Sequence, residues 1–206
     1  MGKGQRITHH QGPIPEGYVD QLIHQMPGTS ILDEGGYSTV LALPCGQLVT
    51  KINDNAWRQD AWIAWAMVCL GDRSKCPHMP VIGNLVFWDN AYMATMERLE
   101  PLVLVNDKPS GIESRAAMEW YEGILARWMG KRRRPLDRGR ETVLRRLDAT
   151  FRLFDRQFGG YARLDVHPGN VMLRRAENGA AEPVLTDPFS GYIIRGLEDT
   201  NERTAR

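Results

Sequence analysis

The spacing of apolar residues divides the chain into a strand-rich first part and a helix-rich second part. Residues 1–12 show no periodicity and read as a loose tail. In residues 15–26, Tyr18, Leu22 and Met26 recur at helical spacing, which predicts a short amphipathic helix. Strands follow at Ile31-Leu32, Tyr37 to Leu43 and Gln47 to Ile52, with turns at Gly35-Gly36 and Pro44 to Gly46. That pattern predicts two consecutive antiparallel hairpins. Residues 56–70 are apolar nearly all round and stop at Gly71, the mark of a buried helix with a glycine cap. Trp57, Trp62 and Trp65 lie on it and are read as core. Two more strands, Asn84 to Trp88 and Ala91 to Met96, turn at Asp89-Asn90.

From Ser110 the period becomes helical. Ser110 and Glu113 have the spacing of a capping box, and the helix they open runs to about Met129. Val143, Leu147, Phe151, Phe154 and Phe158 form a core-facing stripe that ends at Gly159-Gly160. The strand 161–164 and a hairpin of 171–173 with 183–186 complete the chain. The fold class expected is α+β: one domain over 1–206, with a first lobe at 28–96, a hinge at 97–100 and a reduced helical second lobe at 101–190. Residues 1–12 and 191–206 are expected to be tails.

Composition narrows the setting. The hydrophobic fraction is 42% and the charged fraction 25%, as in globular proteins. No apolar run approaches the ~20 residues of a membrane helix, and the opening MGKGQRITHH lacks the apolar centre of a secretory signal. Three cysteines (Cys45, Cys69, Cys76) form no CxxC pair, which argues against a disulfide framework or a zinc site and fits a reducing cytoplasm; with no apolar run long enough to span a bilayer, no membrane partner is expected. The net charge of +1 is uninformative, but its distribution is not. Residues 131–146 hold eight basic side chains and two acids, a local excess of six. Such a run is either a solvated face or a contact for nucleic acid or an acidic protein.

Chemistry concentrates in LDVHPGNVMLRRAENGAAEPVLTDPFS, residues 164–190. A two-residue turn at Asn178-Gly179 pairs positions that sum to 357, which sets Asn170 opposite Asp187. An amide oxygen and a carboxylate converging there suit magnesium on phosphates. Asp165, in the same loop as Pro168 and Gly169, is placed to accept a hydroxyl proton. Upstream, the glycine turn at Gly35-Gly36 lets the backbone approach phosphates, and Lys51 on the next strand can bring charge over them.

This ordered set resembles the protein-kinase-like fold. Glu34-Gly35-Gly36-Tyr37-Ser38-Thr39-Val40 resembles the glycine loop, with Asp33 and Ser38 in place of flanking glycines. Lys51 matches the phosphate-positioning lysine. Tyr92 to Leu99 is similar to the adenine strand and hinge, which implies Met96 as gatekeeper and adenine hydrogen bonds to the backbone of Glu97 and Leu99. Asp165-Val166-His167-Pro168-Gly169-Asn170 resembles the catalytic loop, with His167 as a structural or phosphate-contacting residue, and Asp187-Pro188-Phe189 resembles the metal-binding triplet. The resemblance implies a compact bilobal kinase-like fold with an antiparallel N-terminal sheet. It implies ATP and magnesium as cofactors, Asp165 as base, and Asn170 and Asp187 as metal ligands.

More narrowly, LDVHPGNVM and LTDPFS resemble the early serine/threonine protein kinases of short-tailed lytic bacteriophages. That implies host proteins as substrates in the bacterial cytoplasm. The loop pattern DxHxxN also occurs in small-molecule kinases of the aminoglycoside-phosphotransferase type. A weakened kinase scaffold that inhibits a host protein by binding is a third alternative. Two departures from the family matter. Residues 61–70 contain no acid to pair with Lys51, so Asp60 is the candidate partner. Only 17 residues follow Phe189, too few for a peptide-binding segment of the usual kind.

Overall fold

The computed structural model describes residues 6–35, 38–54, 60–71, 76–131, 135–158, 162–165 and 167–191. Its first half is a six-stranded sheet in the order β1-β5-β6-β4-β3-β2. The strands are β1 (Arg6–His9), β2 (Ser30–Glu34), β3 (Thr39–Ala42), β4 (Leu48–Asn53), β5 (Ile82–Phe87) and β6 (Tyr92–Glu97). Strands β2 to β6 pair antiparallel, as the two hairpins predict. Strand β1 corrects two expectations. Residues 6–9 are a strand rather than a tail, and they lie parallel to β5, so the sheet is mixed. Four residues are too few to show a period. The strand is held by the β5 edge and by stacking of His9 on Phe87 and His10 on Trp88.

Helix α1 (Tyr18–Gln25) forms where the spacing predicts but buries none of its residues. Its Tyr18 instead meets the edge of Trp88, with ring centroids 5.3 Å apart. Helix α2 (Trp62–Gly71) buries Trp62, Trp65, Ala66, Cys69 and Leu70. Trp57 lies outside the described residues. Gly71 closes α2 as its last residue, without the left-handed conformation of a glycine cap.

The second half contains α3 (Ile112–Trp128), α4 (Arg138–Phe158) and three small sheets. Strand β7 (Glu100–Pro101) pairs with β11 (Val171–Arg175), which pairs with β12 (Ala181–Leu185). Strands β8 (Leu104–Val105) and β9 (Lys108–Pro109) form a hairpin, and β10 (Ala162–Leu164) pairs with β13 (Phe189–Gly191). The expected capping box does not form. Gly111 is the residue before α3, Glu113 bonds Arg175 at 2.8 Å, and Ser110 joins Val103 through its backbone. A salt-bridge partner on β11 outcompetes the local bond to the helix start. Val143 and Leu147 of the α4 stripe are fully buried, and Phe151 packs against them; the side chains of Phe154 and Phe158, and Gly159-Gly160, lie outside the described residues.

One hydrophobic cluster runs through both halves, joining Trp65, Ile82, Ala94, Tyr121, Ile124, Leu147, Val171 and Leu185. The architecture is therefore α+β, with α2, α3, α4 and the β11–β12 hairpin sharing a core with the large sheet.

The hairpin register departs from expectation by one residue. Val171 pairs with Leu185 and Arg175 with Ala181, positions that sum to 356 rather than 357. The connection is a three-residue loop, Glu177-Asn178-Gly179, closed by the bond from Ala176 N to Ala180 O at 2.9 Å. Gly179 takes the left-handed position (φ +81°) and Asn178 Oδ1 accepts from Ala180 N at 3.0 Å. That side-chain bond favours the longer loop over a two-residue turn.

Candidate active site

The shifted register sets Asn170 opposite Thr186, not Asp187. Thr186 donates to the Asn170 carbonyl through both its N–H (2.8 Å) and its hydroxyl (3.0 Å). Asp187 then falls just past the end of β12, where the chain leaves the ladder and its carboxylate turns toward β4. Lys51 of β4 meets it, with Nζ 3.2 Å from Asp187 Oδ2. The register of β4 places Lys51 between Val40 on β3 and Ala94 on β6. The Lys51 side chain is 14% exposed and that of Asp187 34%, so the pair is partly shielded from solvent.

Asp165 and Asn170 join this centre through backbone bonds. Asp165 N donates to Pro188 O at 2.9 Å, and Asn170 Nδ2 donates to Asp165 O at 2.9 Å. Tyr121 of α3 donates its hydroxyl to the same Asp165 carbonyl at 3.1 Å. Between them Pro168–Asn170 makes one 3-10 turn, and His167 Nδ1 accepts from Gly169 N at 3.0 Å. His167 is thus a loop-shaping residue here. The four residues Lys51, Asp165, Asn170 and Asp187 are brought into one neighbourhood by segments 136 positions apart at the extremes.

Asp60 is not brought to Lys51 by any described contact. Its Oδ2 accepts from Tyr92 Oη (2.7 Å) and Asn53 Nδ2 (2.9 Å), and its Oδ1 accepts from Trp62 N (2.9 Å) at the start of α2. Asp60 lies just before α2 rather than in its first turn, and there its carboxylate satisfies the amide of Trp62. Lys51 instead has the Trp62 ring beneath it, Nζ 4.5 Å from the centroid. The Trp62 indole N–H donates to Thr186 O at 3.1 Å, and that of Trp65 to Leu185 O at 3.1 Å. Both tryptophans are core, as their helical spacing predicts. Their polar edges, which spacing does not report, fasten α2 to the two residues before Asp187. Asn53 and Tyr92 were also missed; they are cross-strand neighbours on β4 and β6, a proximity that only the register reveals.

Electrostatics follow from crowding. Burial pushes the Asp187 carboxyl above the ordinary carboxylate range; Lys51 opposes the shift, while the charges of Asp60 and Asp165 add to it. Burial, then the neighbouring Asp60, raises the Tyr92 phenol well above its usual value. Tyr121 is raised too, by burial and then by the charges of Asp165 and Asp187. Asp187 thus feels the negative charge of two further carboxylates, Asp60 and Asp165, against the one lysine bonded to it.

The residues expected around a nucleotide are less fully placed. Gly35 N donates to Ser38 O at 2.9 Å, closing the turn between β2 and β3, while Gly36 and Tyr37 lie outside the described residues. Val40 is half-buried and Met96 is 8% exposed. Glu97 ends β6, and Leu99 follows it half-buried. The Glu97 N–H is already bonded to Val81 O at 3.0 Å, and its carboxylate holds Val81 N and Arg174. Arg174 also binds the carbonyls of Pro77 and Met79. This clasp fixes the end of β6 to β11 and to the loop before β5.

The donor set suits magnesium carried with phosphates. Asn170 uses its amide N–H on Asp165 O, which leaves Oδ1 as the atom it could offer a metal, as the Asp187 carboxylate could. Both are hard oxygens, and magnesium is commonly held by one or two such groups plus phosphates rather than by a full protein cage. Among the described residues there is no cluster of three or more His, Cys, Asp or Glu side chains able to hold a metal. No helix among them is long and apolar enough to cross a membrane. Compared with known proteins, the sequence matches no family model and no curated protein.

Proposed function

We propose that the protein is an ATP- and magnesium-dependent phosphotransferase of kinase-like, two-lobed build, acting on hydroxyl groups of proteins. The observation that carries this reading is the meeting of Lys51 with Asp187 at 3.2 Å beside the hydrogen-bonded Asp165–Asn170 loop. Phosphoryl transfer needs chiefly positioning and charge neutralisation, which these few groups can supply. Lys51 would bind and orient the phosphates from β4. Asn170 Oδ1 and the Asp187 carboxylate would hold magnesium, which supplies charge neutralisation on the phosphates when bound. Asp165 would orient the acceptor hydroxyl and take its proton. The resemblance of the 164–190 segment to phage serine/threonine kinases supports host proteins as acceptors. The test is ADP release from ATP and magnesium with bacterial proteins as acceptors, for the native chain and Asp187→Ala. Turnover should fall to background in the variant, and near-normal turnover overturns the reading.

A second reading has its own observation. Lys51 and Asp187 neutralise each other and Asp60 is engaged elsewhere, which also fits a kinase scaffold that works by binding a host protein. It predicts that Asp165→Ala and Asp187→Ala proteins keep their partner and their biological effect.

A further inference from the structure

Asp165 and Asn170 stand at the two ends of one short loop, and each has its main-chain carbonyl held from outside that loop by a side-chain hydroxyl. At the first end Tyr121 of α3 donates Oη to Asp165 O at 3.1 Å. At the other Thr186, the residue after β12, donates Oγ1 to Asn170 O at 3.0 Å. Both donors are buried, Tyr121 at 0% exposure and Thr186 at 7%. We propose that Tyr121 and Thr186 are positioning residues, whose hydroxyls hold the two ends of the loop and with them the Asp165 carboxylate and Asn170 Oδ1. The assignment rests on the phosphotransferase reading and deepens it, since neither hydroxyl takes part in the chemistry proposed above.

The hydrogen bonds around the loop form a closed set. A carbonyl oxygen has two lone pairs to offer. Those of Asp165 are met by Tyr121 Oη and, at 2.9 Å, by Asn170 Nδ2. Those of Asn170 are met by Thr186 Oγ1 and, at 2.8 Å, by Thr186 N. Asp165 N in turn donates to Pro188 O at 2.9 Å. Thr186 and Pro188 flank Asp187, so the bonds run from Asp165 through Asn170 and Thr186 to Pro188 and back to Asp165. The three residues assigned to proton transfer and metal binding therefore share one hydrogen-bonded ring, and Tyr121 is its tie to α3. Groups that act on phosphates lose much of their effect when their supporting bonds are removed, because small displacements are costly in phosphoryl transfer.

The residue types fit this role better than simple filling of the core. Phenylalanine would occupy the Tyr121 position without a hydroxyl to satisfy, and valine has nearly the shape of threonine. Val184 and Leu185, just before Thr186, are apolar and fully buried. A buried hydroxyl is costly unless it is bonded. Here two such hydroxyls come from different elements, and both are spent on the carbonyls of the two chemistry-bearing residues of one loop. Burial, then the charges of Asp165 and Asp187, raises the Tyr121 phenol, so it remains a donor at all ordinary pH.

The test uses the full chain and two readouts. Turnover is ADP release from ATP and magnesium with bacterial proteins as acceptors, split into kcat and KM for ATP. Metal retention is the binding of manganese(II) together with the non-hydrolysable analogue β,γ-imido-ATP, followed by electron paramagnetic resonance, and it needs no turnover. Tyr121→Phe and Thr186→Val each remove a hydroxyl at nearly constant volume. Each should lower kcat about tenfold while KM for ATP changes by no more than about threefold. Thr186→Val, at the Asn170 end, should also weaken manganese binding about tenfold, whereas Tyr121→Phe should act mainly on kcat. Thr186→Ser restores the donor and should recover most of both readouts. Thr150→Val is the control: its buried hydroxyl donates to Arg146 O within α4 at 2.8 Å, and its loss should move neither readout. Urea unfolding verifies that all variants fold. Native turnover and manganese binding that neither Tyr121→Phe nor Thr186→Val alters would overturn the proposal and leave the phosphotransferase reading standing. A loss that Thr186→Ser does not recover, or that Thr150→Val reproduces, overturns it in the same way. A native chain that neither turns over ATP nor binds manganese with the analogue overturns the reading, and the proposal falls with it.

Discussion

Replacing Trp62 by Phe and, separately, Trp65 by Phe separates what α2 does for stability from what it does for Lys51. Each indole is almost fully buried, at 1% and 0% exposure, and each donates at 3.1 Å to a carbonyl just before Asp187. Losing the donor to a buried carbonyl costs about 1–3 kcal/mol. The missing ring atoms add about 1–2 kcal/mol, at roughly 0.8 kcal/mol per buried methylene equivalent. Either variant should therefore lose about 2–5 kcal/mol in equilibrium urea unfolding followed by far-ultraviolet circular dichroism. Only Trp62 also lies beneath Lys51, an attraction worth about 0.5–2 kcal/mol that phenylalanine supplies less well. Magnesium-ATP affinity should thus fall several-fold in Trp62→Phe and stay near native in Trp65→Phe. Losses below 1 kcal/mol in both would refute the anchoring bonds. Equal effects on nucleotide affinity would refute the link between Trp62 and Lys51.

Other consequences can be checked as directly. Tyr92 stays protonated in the fold above the ordinary phenol pKa of about 10, where the unfolded chain ionises. Its contribution is therefore constant below pH ~10 and is lost progressively above it. Tyr92→Phe should flatten the alkaline fall in stability measured by urea midpoints, and an unchanged slope contradicts the assignment. Gly139→Ala should destabilise by about 1–2 kcal/mol, because the clash with a His78 ring pinned by Pro183 O and Trp120 outweighs a helix-propensity gain of about 1 kcal/mol. A higher melting temperature would mean that the ring yields. Arg174→Met, which strips a mostly buried partner from Glu97 and from the Pro77 and Met79 carbonyls, should cost about 2–4 kcal/mol. In the Glu97→Gln background the added loss should shrink, and full additivity would show that the clasp is not one unit.

Sequence periodicity carried most of the first half. Apolar runs between turn residues located β2 to β6, and uninterrupted apolar residues located α2; β2, exposed at all five positions, was marked by its flanking turn rather than by burial. It could not locate β1, whose four residues owe their structure to an open strand edge far along the chain, as the pairing of Arg6 with Asn84 shows. The capping box failed for a similar reason, since Glu113 finds Arg175, 62 residues on. The site's four charged and amide residues were legible as a set, from their types and order. Their geometry was not. A single extra residue in the 177–179 loop moved Asn170 opposite Thr186, and the pairing of Lys51 with Asp187 instead of Asp60 depends on Tyr92 and Asn53 claiming Asp60. Tertiary competition for one partner has no signature in local spacing.

The most direct measurement follows the labelled γ-phosphate of ATP, with magnesium, into a bacterial lysate incubated with the native protein or with Asp165→Ala. Label should appear on discrete protein bands with the native chain and vanish with the variant. Bands of equal intensity in both, or label confined to small molecules or absent altogether, would contradict a protein phosphotransferase built on Lys51, Asp165, Asn170 and Asp187.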